Sequence, residues 1–324
     1  MAQIIVEICQ NHNGDRELLK RMIHSAKENG ADAVKGQIIF SNDLTPRERF
    51  DEGLEEHNGV KKTIKRPYQA EFERMKSLDL TEADYKFFVE ECNRVGVMPM
   101  LTVFSRNRIP LAASLPYKGE RTVKVASYDC GSHQMISELA EKFDHVIIST
   151  GASFDDEIKK TAKLVKSKNK KFTFLHCVTS YPNTMAAANL ARLEWLRQFT
   201  PSVGWSDHSL ISRDGIKMAK VALMLGADYV ERHFTVLPAD KTKDGPVSIN
   251  PAQLKELSSF AKLSQEEQKS IVAKEILEWR EAVGLANREL THIEMLNRDY
   301  YRGRFASFVN NEWIYNWDDK PISA

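Results

Sequence analysis

The sequence predicts an α/β protein whose main domain is a (β/α)8 TIM barrel, followed by a short non-barrel C-terminal extension. Three observations support this prediction: apolar runs alternate with helical patterns, eight strand–helix units can be counted, and no G-x-G-x-x-G follows the first strand. Strands that alternate with helices imply parallel pairing and right-handed crossovers. Eight such units favour a closed barrel over an open doubly wound sheet.

The eight predicted strands are short apolar runs with helical patterns between them. In chain order they are residues 4–8, 31–34, 97–102, 122–126, 145–149, 172–177, 202–204 and 227–232. Helices are predicted from Arg16 to Gly30, from Thr81, over 133–142, 154–168, 187–198 and 212–225, and from Pro251. Asp84, three positions after Thr81, indicates an acidic variant of the capping box.

Two segments interrupt this alternation. Residues 40–80 form a long charged connection, of a length typical of an active-site lid. A charged helix and an aromatic, arginine-rich tail follow the last unit, so we expect a barrel domain over residues 1–264 and an extension over 265–324. Arg302 and Arg304 stand among aromatic side chains. They either cap the mouth of the same or a neighbouring barrel, or belong to a tail that packs on the outer helices.

Composition excludes several classes of function. The 324 residues are 42% hydrophobic and 28% charged, close to the globular norm. Because 46 Lys and Arg oppose 45 Asp and Glu, the net charge of +1 offers no bulk basicity for nucleic acid. No apolar run approaches the roughly 20 residues that span a bilayer, and no signal peptide is recognisable. We therefore expect a cytoplasmic protein with no membrane or nucleic-acid partner, whose four scattered cysteines are buried small residues.

Polar side chains recur at the C-terminal ends of the predicted strands. Barrel enzymes carry their catalytic residues there, because the strand ends are rigid and the following loops open on one pocket. In strand order the candidates are Glu7; Lys35 and Gln37; Thr102; Lys124 and Ser127; Ser149; Tyr181; Ser206, Asp207 and His208; and Glu231 and His233. Packing in the core could explain a polar side chain at any one of these positions. It explains poorly why all eight strand ends carry polar side chains.

Two lysines among these residues predict a doubly anionic ligand. Lys35 and Lys124 supply positive charge, and the hydroxyls at neighbouring strand ends can donate hydrogen bonds to carboxylate or phosphate oxygens. Two other interpretations stay open. Each lysine could form an ion pair with Glu7 or Glu231, or one lysine could be the Schiff-base nucleophile of an aldolase.

Two histidines predict a metal site. His208 and His233 follow neighbouring strands, so their rings could meet over the pocket. Two imidazoles with open positions suit Mn, Fe, Co or Zn better than Mg. His12 and His176 are weaker candidates, equally compatible with packed rings. Glu7 and Glu231 are available for substrate hydroxyls or proton transfer.

Several motifs, taken in order, resemble the sialic acid synthase family over roughly residues 1–264. They are Glu7-Ile-Cys-Gln-Asn-His-Asn-Gly14, Gly30-Ala-Asp-Ala-Val-Lys-Gly-Gln37, Ser149-Thr-Gly151, His176-Cys-Val-Thr-Ser-Tyr-Pro182, Gly204-Trp-Ser-Asp-His208 and Glu231-Arg-His-Phe-Thr235. Each short motif is weak alone, but the ordered set is specific.

The resemblance implies a condensation of phosphoenolpyruvate with the open-chain aldehyde of a sugar, usually an N-acylated hexosamine. The products are a 2-keto-3-deoxy sugar acid and phosphate. By that similarity His208 and His233 hold a divalent metal, commonly Mn2+ with Mg2+ or Co2+ as alternatives, and the enzyme is a homodimer. Catalytic roles then fall to Glu7, Lys35, Lys124 and Glu231. Substrate binding falls to Gln37, Thr102, Ser127, Ser149, Tyr181, Ser206 and Asp207.

The sequence departs from the family mainly on the sugar side. The family usually carries Gly-Pro-Asp after the last strand, whereas here Asp244 precedes Gly245 and Pro246. The antifreeze-like domain that normally supplies an arginine to the sugar is not recognisable after residue 265. We therefore expect the condensation to use a different acceptor, one without the usual N-acetyl group. A Schiff-base aldolase and a non-catalytic sugar- or phosphate-binding paralogue are the alternatives.

Overall fold

The computed structural model describes residues 2–57 and 59–322. Eight parallel strands close into a barrel, in which each strand pairs with the next along the chain and the eighth pairs with the first. They are β1 (Gln3–Glu7), β2 (Ala33–Ile38), β3 (Met98–Val103), β4 (Thr122–Val125), β5 (His145–Ser149), β6 (Lys171–Cys177), β7 (Val203–Asp207) and β8 (Tyr229–His233). The predicted (β/α)8 barrel is confirmed.

Two strands extend further than the sequence predicts. The run over 31–34 becomes β2, which pairs with β3 from Ala33 to Ile38. The run over 202–204 becomes β7, which pairs with β8 as far as Asp207. In both strands polar residues interrupt the apolar run but not the backbone pairing, so the apolar pattern ends before the strand does.

Helices surround the barrel, mostly at the predicted positions. The α-helices are Arg16–Glu28, Arg49–Glu52, Tyr68–Lys76, Glu82–Val95, Ile109–Ser114, His133–Lys142, Asp155–Ser167, Arg192–Arg197, Ile211–Asp214, Lys217–Met224, Pro251–Ala261, Gln265–Glu275 and His292–Tyr301. The predicted capping box is present, since Thr81 Oγ1 accepts from Asp84 N at 3.2 Å and Asp84 Oδ2 accepts from Thr81 N at 2.9 Å. The predicted helix over 212–225 is divided at Gly215, whose φ is +54°.

Shorter elements complete the chain. The 3-10 helices are Ser41–Asp43, Arg106–Arg108, Ser127–Asp129, Ala239–Lys241, Gly245–Val247 and Trp279–Ala282. Two antiparallel hairpins pair Leu54–Glu55 with Lys61–Thr63 and Ala306–Val309 with Glu312–Tyr315. Across the described ranges, none of these helices is both long and apolar enough to cross a membrane.

The barrel interior is built in layers. Its N-terminal part is filled by the apolar side chains Ile5, Ala33, Met100, Ile147, Leu175 and Tyr229. Alternate residues of a strand face the same side, so the positions two residues further along face inward as well. Those positions are Glu7, Lys35, Thr102, Ser149, Cys177 and Glu231, and all of them line a cavity. An apolar plug therefore supports a polar floor at the C-terminal ends of the strands.

The C-terminal tail crosses this end of the barrel rather than the outer helices alone. Arg298 donates to the Ala152 carbonyl and to Glu157, both at 2.6 Å, and Asn316 donates to the Phe104 carbonyl at 2.9 Å. Helix Gln265–Glu275 instead packs beside Lys217–Met224 in the helical layer. The predicted domain boundary after residue 264 stays a prediction.

The tail is expected to depend on Arg298 for its attachment. Replacing this buried arginine by alanine, Arg298→Ala, removes the donor to the Ala152 carbonyl and one of the two arginines that pair with Glu157. The loss should lower the free energy of unfolding by about 1–3 kcal/mol. Urea unfolding would measure the loss, with the exposed Arg21→Ala in helix Arg16–Glu28 as the control. Equal effects of the two substitutions would contradict this attachment.

Candidate active site

A cavity of about 450 Å3 opens at the C-terminal ends of the barrel strands. Its floor is the polar layer described above, and its walls come from the loops that follow the strands and from the tail. Twelve of the thirteen predicted site residues line it, namely Glu7, Lys35, Gln37, Thr102, Lys124, Ser127, Ser149, Tyr181, Ser206, His208, Glu231 and His233. The sequence pattern therefore identified one real cavity.

Four buried charges form the floor. The Lys35 ammonium contacts Glu7 and lies 3.3 Å from Glu231 Oε2. The other carboxylate oxygen of Glu231 lies 3.6 Å from Lys124 Nζ. Glu231 thus bridges the two lysines, and the ion pairs considered from the sequence are present.

Hydroxyl groups fix the positions of these charges. Thr102 Oγ1 accepts from Lys35 Nζ at 3.2 Å, and Ser149 Oγ accepts from Lys124 Nζ at 2.7 Å. Ser206 donates to Glu231 Oε1 at 2.8 Å. Because every group has a charged or hydroxyl partner, the arrangement is held rigidly before any ligand binds.

The two lysines differ in their protonation. Burial opposes the charge on Lys35, but Glu231 and Glu7 outweigh it and raise the Lys35 pKa above its ordinary value. Burial lowers the pKa of Lys124 to about 8, against the attraction of Glu231 and with the help of the Lys35 charge. Lys35 therefore holds its proton more strongly than an ordinary lysine, whereas the lowered pKa of Lys124 makes its charge easier to lose.

The two predicted metal-binding histidines meet at the cavity. Their ring centroids are 5.1 Å apart, and Tyr181 packs edge-on against His208 with centroids 4.5 Å apart. Burial, and then the neighbouring His233, lower the pKa of His208 well below its ordinary value. His208 is therefore a neutral imidazole, the form that binds a metal.

Two further donors that the sequence did not single out lie beside His233. Cys9, Asp244 and His233 each offer one ligand atom, and these three atoms lie within 4.8 Å of one another. The Cys9 thiol donates to Asp244 Oδ2 at 3.0 Å. The sequence predicts four buried cysteines, but Cys9 is only partly buried. Cys9 and Asp244 are 235 residues apart in the sequence, so only the folded structure shows that they are in contact.

Asp207 is the one predicted site residue that the structure places elsewhere. It follows the inward-facing Ser206, so its side chain points to the opposite face of β7. There Asp207 Oδ2 lies 2.6 Å from Arg232 Nη1, and both side chains are fully buried. Unlike the other predicted site residues, Asp207 is not part of the cavity lining, because a one-residue step along a strand reverses the direction of the side chain.

The outer part of the cavity carries excess positive charge. Arg66, Arg74, Lys243 and Arg304 line it. Glu71 pairs with Arg74 at 3.0 Å and also contacts Arg304. Arg66 and Arg74 come from the long connection predicted as a lid, and Lys243 from the loop after β8. Sequence reasoning missed these three because charged loop residues look alike until the loops are folded.

The two tail arginines have different positions. Arg304 reaches the cavity of its own barrel, as one of the alternatives predicted. Arg302 instead pairs with Glu157 at 3.0 Å and lies over the Trp317 ring.

His12 and His176, the weaker metal-site candidates, do not line this cavity. Their ring nitrogens bond the Gly14 amide and the Ala188 carbonyl respectively.

Comparisons with known proteins agree with this geometry. A sequence model described as the NeuB family matches residues 22–271. The N,N'-diacetyllegionaminic acid synthase of Legionella pneumophila is 32% identical over 78% of this chain and 69% of its own length. The N-acetylneuraminate-9-phosphate synthase of Mus musculus is 29% identical over 80% and 69%. The structure of N-acetylneuraminic acid (sialic acid) synthetase from Leptospira borgpetersenii, in complex with citrate, superposes with a TM-score of 0.69 at 25% identity, covering 92% of this chain and 90% of that chain.

The structural role of Asp207 can be tested by stability. Asp207→Ala leaves Arg232 buried without its counter-charge, which should lower the free energy of unfolding by about 3–5 kcal/mol. Replacing both partners by apolar residues, Asp207→Leu with Arg232→Met, should recover most of that loss. Denaturant unfolding measures all three proteins. A stable Asp207→Ala variant with a raised substrate KM would restore the original assignment.

Proposed function

The chain belongs to the NeuB family, and we propose that it condenses phosphoenolpyruvate with the open-chain aldehyde of a sugar. The products would be a 2-keto-3-deoxy sugar acid and phosphate. One observation carries the proposal at the level of the site: two lysines, several hydroxyls and two imidazoles converge on one cavity. This combination suits a small polyanion beside a metal ion.

The inner cavity is the proposed donor site. Lys35 and Lys124 would neutralise the phosphate and carboxylate of phosphoenolpyruvate, exchanging part of their contact with Glu7 and Glu231 for the ligand. The hydroxyls that would complete the site are Thr102, Ser127, Ser149 and Ser206. Since the floor is already rigid, the donor would bind in one orientation.

The reaction forms a carbon–carbon bond and a bond from C2 to the oxygen of water, and it breaks the bond from C2 to the bridging phosphate oxygen. C3 of phosphoenolpyruvate attacks the aldehyde carbon, the aldehyde oxygen gains a proton, water adds to C2, and the phosphate leaves with the bridging oxygen. A divalent metal would polarise the aldehyde when bound, and His208 and His233 would hold that ion, with the His208 imidazole kept neutral by burial. Gln37 and Tyr181 would contact the sugar. Glu7 and Glu231 would hold the lysines and accept or return protons.

The outer cavity defines the proposed acceptor. Arg66, Arg74, Lys243 and Arg304 outnumber the neighbouring carboxylates of Glu71 and Asp244. Burial and the charges of Arg74 and Arg304, against the attraction of Glu71, lower the pKa of Lys243. Such mutual repulsion is relieved by an anionic ligand. The acceptor would therefore carry a phosphate or carboxylate at the end far from its aldehyde.

A Schiff-base aldolase is the second candidate, since the lowered pKa of Lys124, about 8, suits a nucleophilic amine. The family membership and the neighbouring imidazoles favour the metal-assisted condensation. The predicted homodimer and the predicted cytoplasmic location stay predictions.

The condensation is tested by coupled phosphate release. Phosphate should appear only when phosphoenolpyruvate, a sugar aldehyde and a divalent metal are all present, and Lys124→Gln should lower kcat/KM for phosphoenolpyruvate by about 100-fold or more. Above about pH 8 Lys124 loses its proton in the free protein, so kcat/KM should fall there. No phosphate release with any aldose or aminosugar, or covalent trapping of pyruvate by borohydride, would overturn the proposal.

The anionic acceptor is tested by comparing phosphorylated and neutral sugars. Arg74→Gln should raise KM for a phosphorylated acceptor by about tenfold or more, because it removes one charged contact, and should leave KM for a neutral acceptor nearly unchanged. Arg21→Gln, on an exposed helical face, is the matched control. Equal KM changes for both acceptors would argue against charge recognition.

A further inference from the structure

Cys9 and Asp244 lie beside His233 and add two candidate ligands to the predicted pair of histidines. Cys9 follows β1, His233 ends β8, and Asp244 lies in the loop after β8. Their ligand atoms lie within 4.8 Å of one another. Ligands about 2.0–2.3 Å from a tetrahedral ion are separated by about 3.3–3.8 Å, so these donors can close on one ion with small rotations.

The backbone holds Cys9 in an unfavourable conformation. Its φ is +51°, in the left-handed region that costs a non-glycine residue about 1–2 kcal/mol. The Cys9 amide donates to Glu7 Oε1 at 2.5 Å, and its thiol donates to Asp244 Oδ2. Strain of this kind persists where the surrounding structure requires it, often at functional sites.

The loop that carries Asp244 is fixed in place from the same side. Asn11 Nδ2 donates to the Phe234 carbonyl at 2.9 Å and to Ser248 Oγ at 3.0 Å. Ser248 in turn donates to the Asp244 carbonyl at 2.7 Å. At Gly245 a Cβ would lie 1.9 Å from the Ala239 carbonyl oxygen, so only glycine permits this turn. Cys9 and Asp244 are therefore brought together by a preorganised pair of loops.

We propose that Cys9 and Asp244 join His233 as metal ligands, and that the thiolate makes the site select Zn2+, Fe2+ or Co2+ over Mn2+ and Mg2+. Thiolate and imidazole donors prefer these softer ions, whereas Mn2+ and Mg2+ prefer sites of oxygen donors. Three protein donors leave positions open for substrate oxygen. The proposal relies on the proposed function only for the use of the ion, since the donor set exists without it.

Cobalt spectroscopy tests the thiolate ligand. The full chain loaded with Co2+ should show near-ultraviolet thiolate-to-cobalt charge-transfer absorption. Cys9→Gly removes the thiol and also relieves the left-handed backbone, so it should fold and lose this absorption. Cys92→Ala removes a thiol buried in helix Glu82–Val95, outside the lining of the cavity, and should retain the absorption. Absence of the band in the unmodified protein, or its persistence in Cys9→Gly, would overturn the proposal.

Metal competition gives a second measurement that needs no substrate. Titration against a chelating dye should show that Cys9→Gly lowers the ratio of Zn2+ to Mn2+ affinity by at least about tenfold. Asp244→Asn should weaken both ions while retaining the cobalt charge-transfer band. An unchanged affinity ratio in Cys9→Gly would contradict thiolate ligation. A thiolate band in a protein without condensing activity would refute the proposed function and leave this metal site standing.

Discussion

The site depends on one constraint, which is that the charges buried at the barrel floor must compensate one another. Glu231 contacts both lysines, and Lys35 also contacts Glu7. An unpaired buried charge costs several kcal/mol, so removal of any one of these groups exposes the others to that cost. The bridging position of Glu231 lowers its own pKa, despite burial, through Lys124 and Lys35. The floor is thus stable as a set and available to a polyanion that can take over part of the pairing.

The rest of the fold keeps this set in place from two sides. Beneath it, inward-facing apolar residues such as Ile5 and Leu175 exclude water from the barrel interior. Above it, the tail brings Arg304 to the mouth and is fastened by Arg298. The low dielectric that strengthens the ion pairs therefore comes from the packed apolar interior beneath the floor.

Much of this architecture could be predicted from the sequence, because it follows from periodicity. The alternation of apolar runs and helical patterns predicted the barrel. Of the thirteen site residues predicted from polar strand ends, twelve line the cavity. Asp207 lies outside the lining because successive side chains of a strand face opposite sides. A polar residue at a strand end does not by itself reveal which side it faces. Cys9 and Asp244 were missed for a different reason. Their meeting depends on two loop conformations, which no local pattern encodes.

The loop after β8 also links the two halves of the proposed chemistry. Asp244 faces Cys9, and its neighbour Lys243 belongs to the cationic group around Glu71. Because the two residues are adjacent and Ser248 holds the Asp244 carbonyl, movement of one backbone segment involves the other. Binding of an anion at Lys243 would therefore restrain Asp244, and binding of a cation at Asp244 would restrain Lys243. When one ligand has ordered this loop, the loop loses less conformational entropy when the second ligand binds. The affinities for the acceptor and for the ion should therefore be coupled.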